Sequence, residues 1–251
     1  MQSLLIEIYM SAILELKNTS KAFGQIIVAN DLSYQLEEGE ALGVIGPNGA
    51  GKTSMFNLIT GTLKPDSGNI IYNGCDITQQ DAAERCRSGI SRSFQVPQPF
   101  GVLSVFENVL VAVTQGAGLN SKEANEVSLN VLEQTGLQGK ANQMAGSLTL
   151  LDRKRLELAR ALGVQPKVML LDEIAGGLTE HECLSLINTI NDVKQTGVSI
   201  IWIEHVVHAL LAVVDRLIVI DFGKKIADGN PESVMASNEV REVYLGIDSD
   251  V

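Results

Sequence analysis

The chain has 251 residues, 45% of them hydrophobic, enough for one large α/β domain with a substantial core. Its 30 acidic against 19 basic side chains give a net charge of −11, which argues against a general nucleic-acid binder held by phosphate contacts. Three cysteines (Cys75, Cys86 and Cys183) show no CxxC pairing and are too few for a disulfide framework, so a reducing, cytosolic setting is expected.

The opening stretch, Met1 to Leu16, is apolar but carries Glu7 and lacks the basic start and cleavage site of a signal peptide. Met10 offers a second start, so residues 1–9 are expected to be an extension of no functional weight. Ile13 to Leu16 and Ile26 to Leu36 read as strands of a β-rich N-terminal region, closed by a turn at Glu37-Glu38-Gly39-Glu40. Ala41 to Ile45 then suits a short buried strand.

Gly46-Pro47-Asn48-Gly49-Ala50-Gly51-Lys52-Thr53 follows, with the spacing of a phosphate-binding P-loop. Ser54 to Ile59 suits a helix ending at Gly61, so the loop lies between strand and helix as the motif requires. Glycines let the backbone wrap an anion, and free N–H groups of Gly49, Ala50, Gly51 and the helix start, including Ser54, would point at it. Lys52 would neutralise the β- and γ-phosphates of a nucleoside triphosphate, and the Thr53 hydroxyl would ligate Mg2+.

Beyond the loop, Lys64 to Gly68 and Asn73-Gly74 read as turns flanking a strand at Ile70 to Tyr72, and Asp81 to Arg87 turns helical. Residues 95–163 carry helix-type periodicity, including Val105 to Val113, Lys122 to Gln134 and Arg153 to Leu162. Strands return at Val168 to Leu171, Val198 to Ile203 and Leu217 to Ile220. No apolar run approaches a membrane span; the best, Ala209 to Ile220, is broken by Asp215-Arg216. The predicted fold is α/β: a P-loop NTPase core, a mixed sheet flanked by helices, with a β-rich N-terminal region and an inserted helical subdomain. One domain over 10–251 is expected, its core formed by 10–94 and 164–251 and its helical subdomain by 95–163.

The strand Val168 to Leu171 ends in Asp172 and Glu173, where acidic side chains would face the ligand crevice. Asp172 is placed to hold Mg2+ and Glu173 to accept a proton from an attacking water; a solvated strand end or helix cap is the alternative. Ile200 to Ile203 similarly delivers His205 to a strand end, whereas His181 and His208 read as ordinary surface or helix residues.

Together Phe23, the P-loop, Gln95, Leu148 to Asp152, Asp172-Glu173 and His205 resemble the ATP-binding subunit of an ABC transporter, in order across almost the whole chain. The resemblance implies that Phe23 stacks on adenine, with core packing as the alternative. It implies that Gln95, in the Q-loop, touches Mg2+ and the attacking water, that His205 contacts the γ-phosphate, and that Ala175 to Leu178 is the D-loop. Gly89 to Gln95, Leu103 to Val109 and the ending Val240 to Gly246 are similar to one ATPase subunit of branched-chain amino-acid importers. Lipopolysaccharide-export ATPases share such an ending, but their Q-loop context generally differs. Implied partners are a second ATPase subunit packed head to tail, two membrane permeases and, indirectly, a solute-binding protein, at the cytoplasmic face of the membrane. An exporter ATPase or a regulatory ABC protein with weak hydrolysis is the alternative.

The family signature Leu-Ser-Gly-Gly-Gln aligns with Leu148-Thr149-Leu150-Leu151-Asp152. Leu150 and Leu151 add side chains where glycines allow close approach to a partner's ATP, and Asp152 is expected to bring a negative charge near its phosphate. A heterodimer with one good composite site is therefore expected, unless Asp152 merely caps its helix.

Overall fold

A computed structural model describes residues 12–245; the expected extension at 1–9 and Gly246, the last residue of the Val240 to Gly246 resemblance, lie outside them. In chain order the elements are β1 (Ala12–Phe23), β2 (Ile26–Glu37), β3 (Ala41–Ile45), α1 (Lys52–Thr60), β4 (Ser67–Tyr72), β5 (Cys75–Asp76), α2 (Ala82–Arg87) and β6 (Ile90–Arg92). Next come α3 (Val105–Ala112), prolonged by a π-helical turn at Val113–Ala117, then α4 (Ser121–Gln134), two 3-10 turns at Gln138–Lys140 and Ala145–Ser147, and α5 (Leu150–Gly163). The last part holds β7 (Val168–Asp172), α6 (Glu180–Gln195), β8 (Ser199–Ile203), α7 (Val207–Leu211), β9 (Arg216–Asp221), β10 (Lys224–Gly229), α8 (Pro231–Ala236) and α9 (Asn238–Leu245).

The strands form two sheets. One has six strands in the order β10-β9-β3-β8-β7-β6, parallel except for β10, which runs antiparallel to β9. The other is antiparallel with four strands, β2-β1-β4-β5. All five residues of β3, β7 and β8 are buried, as both faces of a covered parallel sheet require. Their alternation splits the core in two. Ile45, Leu171, Trp202 and Val219 pack with α3 to α6, while Val44, Leu170, Ile203 and Ile218 pack with α1 and the antiparallel sheet.

Local signals set the helix starts. Asp81 with Glu84, Ser104 with Glu107, and Thr179 with Glu182 form capping boxes that satisfy orphan N–H groups at α2, α3 and α6. Three strands escape sequence patterning: β5 is two residues long, β6 three, and β10 is a partly exposed edge strand. The β1 strand runs past Leu16 to Phe23 because bulges shift its register at several points, with Asn18 at φ 47°. Those shifts break the alternation that would have marked Lys17 to Phe23 as strand.

Arg85 fastens the helix behind the P-loop. It is fully buried on α2 and donates to the carbonyls of Leu58 and Ile59 at 2.7 and 2.9 Å, at the C-terminal end of α1, and to Thr78 O at 3.0 Å. A cation there satisfies orphan carbonyls and complements the helix dipole. Arg85→Met should therefore lower stability by about 3 kcal/mol, seen as a reduced urea midpoint at unchanged m; a loss under about 1 kcal/mol would show that the carbonyls find other partners.

Candidate functional site

The loop between β3 and α1 is held against the end of β9 and the start of β2 by contacts that admit no side chain. A Cβ on Gly46 would sit 2.0 Å from Ile220 O, and one on Gly51, at φ 104°, would sit 2.2 Å from Val28 O. Asn48 and Gly49 are exposed at the tip, and Ala50 is buried beneath it. The first turn of α1 has neither a side-chain cap nor an acidic residue, so its N–H groups and the positive end of its dipole are open to an anion. Thr53 is exposed and Ser54 half-buried on that turn. Lys52 is 6% exposed, its ammonium donating to Gly46 O at 2.7 Å and Pro47 O at 2.9 Å. Burial pushes this lysine below its ordinary pKa, and the nearby Glu173 and Asp172 carboxylates pull it only part of the way back.

Three residues expected to act together are brought together. Glu173 Oε1 lies 2.9 Å from His205 Nε2, and Gln95 Nε2 donates to the other carboxylate oxygen. Glu173 sits just past β7 in a left-handed conformation (φ 46°), unusual for a side chain of its size, with its N–H donating to Ile203 O at 2.8 Å. Asp172, the last residue of β7, is buried and accepts from Arg92 Nη2 at 2.6 Å. Its oxygens and the Thr53 hydroxyl are the hard donors Mg2+ prefers, and a few protein ligands beside phosphate oxygens are the usual number for that ion. Among the described residues no cluster of three His, Cys, Asp or Glu side chains offers an all-protein cage.

Lys154 and Glu204 complete the frame, and sequence reasoning assigned them nothing. Lys154, buried on α5, donates to Gln95 O at 2.8 Å and Glu173 O at 3.1 Å, tying that helix to both residues of the cluster. Burial lowers its pKa against the opposing pull of Glu204, Glu173, Glu157 and Asp172. Glu204, 1% exposed, accepts from the N–H groups of Ala175 at 2.9 Å and His205 at 2.9 Å, so one carboxylate sets both loops. The only signal for Glu204 was its place beside His205 at a strand end; Lys154 gave none. His181 and His208 are exposed helix residues, as expected.

Phe23 is 53% exposed at the end of β1, which removes core packing as its explanation. It borders a groove of about 780 Å³ that runs past Asn57, Arg92 and Phe94 to Val111, Ala161 and Val164.

At the other end of the chain's chemistry, Thr149 is the N-cap of α5, accepting from Asp152 N at 3.3 Å. Its hydroxyl donates to Asp152 Oδ2 at 2.7 Å, and Lys140 pairs with the same carboxylate. The charge expected to face a partner's phosphate is thus buried and compensated inside this chain, and the cap is Thr149 rather than Asp152. Leu150 is 44% exposed and Leu151 half-buried, so the side chain presented at this helix start is Leu150, which a Cβ on Gly177 of the neighbouring loop would meet at 3.3 Å.

A model of the ABC transporter family matches residues 29–176. The lipopolysaccharide export system ATP-binding protein of Acidithiobacillus ferridurans is 33% identical over 94% of this chain and 98% of its own length. A high-affinity branched-chain amino acid transport ATP-binding protein of Salmonella typhimurium is 35% identical over 89% and 94%. Among solved structures, a nucleotide-free ATP-binding cassette from an ABC transporter superposes with a TM-score of 0.84 at 30% identity, covering 94% of this chain and all of that one. The ADP conformation of such a cassette gives the same score, identity and coverage.

Asp152 carries a stability signature. Burial raises its carboxyl, but hydrogen bonds from Lys140 and Thr149 outweigh that and hold it below the ordinary value of 3.8. A depressed folded-state pKa stabilises above the unfolded value and fades as pH falls through the folded one. Asp152→Asn should cost about 1 kcal/mol at pH 7, since Lys140 is 41% exposed and its pull is screened. Urea unfolding at pH 7 and near pH 3 should show the two proteins converging in acid; a constant gap would contradict this.

Proposed function

The chain belongs to the ABC transporter family, and from that membership we propose that it is the ATP-hydrolysing subunit of an importer for branched-chain amino acids or related small solutes. The observation that carries the hydrolytic reading is Glu173, held between His205 and Gln95 close enough to the P-loop to act on the Lys52 ammonium. The importer reading is supported by the Q-loop and C-terminal resemblance and by the 35% identity to a branched-chain amino acid transport protein. Export is the second reading, favoured by the 33% identity to a lipopolysaccharide export ATPase.

In this reading phosphate oxygens replace the Gly46 and Pro47 carbonyls as partners of Lys52, and the N–H groups at the start of α1 take the remaining charge. Phe23 stacks on the adenine. Mg2+, held by Thr53 and Asp172 with Gln95 beside it, neutralises charge on the β- and γ-phosphates when bound. Glu173 accepts the proton of the attacking water as the bond from the γ-phosphorus to the ADP oxygen breaks. His205 then contacts the γ-phosphate, with its ring already positioned by Glu173.

Residues 95–163 act as the helical subdomain in this scheme. The groove at its base, apolar at Phe94, Val111, Ala161 and Val164, is a fitting seat for a helical segment of a permease. No helix among the described residues is long and apolar enough to cross a membrane, so attachment to its cytoplasmic face would run through two such permeases. A second ATPase subunit, different from this one, would close head to tail on the P-loop; an external solute-binding protein would deliver cargo, and nucleic acid plays no part.

Two outcomes check this. Glu173→Gln should lower ATP turnover by about 10³-fold while ATP binding stays intact. Vesicles carrying the chain with its permeases and second ATPase subunit, loaded with ATP and given the solute-binding protein outside, should take up leucine, and Lys52→Ala should abolish it. Full turnover in the glutamine variant would overturn the role of Glu173, and ATP-driven lipid release without uptake would favour export.

A further inference from the structure

Arg92 ends β6, alongside the strand that carries Asp172. Its Nη2 donates to Asp172 Oδ2 at 2.6 Å, and its Nη1 donates to Asn57 Oδ1 at 2.6 Å. The side chains of the ion pair are 8% and 6% exposed. The rings of Phe56 and Phe94 lie against the guanidinium, with centroids 5.4 and 5.1 Å from its central carbon. Burying two opposite charges costs several kcal/mol per ion before their attraction returns any of it, so stability alone is a weak reason for the pair.

Geometry supplies a stronger reason. Asn57 and Thr53 stand four residues apart on α1, hence on one face of the helix. The chain of contacts Asn57–Arg92–Asp172 therefore fixes the carboxylate at the end of β7 relative to the helix face that carries the Thr53 hydroxyl. A planar guanidinium gripped at both terminal nitrogens and stacked on aromatic faces is a rigid strut, which a lysine ammonium would not be. The bond to Oδ2 leaves Oδ1 without a protein partner among the described residues.

We infer that Arg92 is a positioning residue: it aims Asp172 Oδ1 at the cation site shared with Thr53. This rests on the reading above in which Thr53 and Asp172 hold Mg2+. Partners that orient a metal-ligating carboxylate from behind set affinity for the ion without touching it.

The test uses the full chain with the non-hydrolysable β,γ-imido analogue of ATP and Mn2+ as a paramagnetic stand-in for Mg2+. Electron paramagnetic resonance gives the Mn2+ affinity of the nucleotide complex, and nucleotide affinity is measured separately in chelator. Arg92→Met should weaken Mn2+ by about 10- to 100-fold and leave metal-free nucleotide affinity within about twofold, and Arg92→Lys should recover part of the loss. If Arg92→Met fails to fold, Asn57→Ala, at a half-buried position, should weaken Mn2+ several-fold by freeing one end of the strut. Unchanged or tighter Mn2+ binding in the folded variant would overturn the inference, the latter by showing that Arg92 competes with the ion. Asp172→Asn separates the two layers. If it leaves Mn2+ binding intact, the metal assignment itself fails; if it weakens binding while Arg92→Met does not, only the strut fails.

Discussion

Both faces of the central sheet are committed to packing, and the rest of the molecule follows from that. In β3, β7 and β8 every residue is buried, one set of side chains serving the helical layer and the alternate set serving α1 and the antiparallel sheet. Polar chemistry has nowhere to emerge except at the strand ends. The phosphate loop leaves β3, Asp172 ends β7 with Glu173 just past it, and His205 follows β8. Because neighbouring parallel strands are in fixed register, these groups reach one edge without any of them needing a long reach.

Electrostatics then decide what that edge tolerates. Two lysines, Lys52 and Lys154, are buried among Asp172, Glu173, Glu157 and Glu204, and burial depresses both ammonium groups even so. Lys154 spends its donors on two backbone carbonyls and Glu204 its oxygens on backbone N–H groups, so these charges hold loops in place. Lys52 is bonded to loop carbonyls that an incoming phosphate can replace. The division between fixed and exchangeable charge is what makes the site ready for a polyanion.

Local chemistry was the legible part of the sequence. The apolar runs leading to Glu173 and His205 and the position of Gln95 named groups that the fold brings within bonding distance, and the P-loop spacing named the loop between β3 and α1. Pairings across long sequence separations were not legible. Arg92 meets Asp172 and Asn57 only because β6 lies beside β7 and α1 packs behind it. Lys140 neutralises Asp152 from a 3-10 turn that carries no periodic pattern, so the repulsion expected of Asp152 turns into an internal pair. The exposure of Phe23 depends on a bulged strand whose broken alternation hid its extent.

In the head-to-tail assembly proposed above, the chain would offer an ATP-holding half beside an altered closing half. With Asp152 compensated internally, any obstruction in that assembly would come from Leu150, exposed at the start of α5, and from Leu151 behind it. The most direct measurement is ATP turnover by the isolated chain before and after the joint substitution Leu150→Gly and Leu151→Gly, with folding checked because each glycine costs about 1 kcal/mol in a helix. Turnover should be slow in the natural chain and rise at least about tenfold in the double variant, a gain of roughly 1.4 kcal/mol in transition-state stabilisation. Rapid turnover by the natural chain, or no gain from the glycines in a folded variant, would contradict this reading.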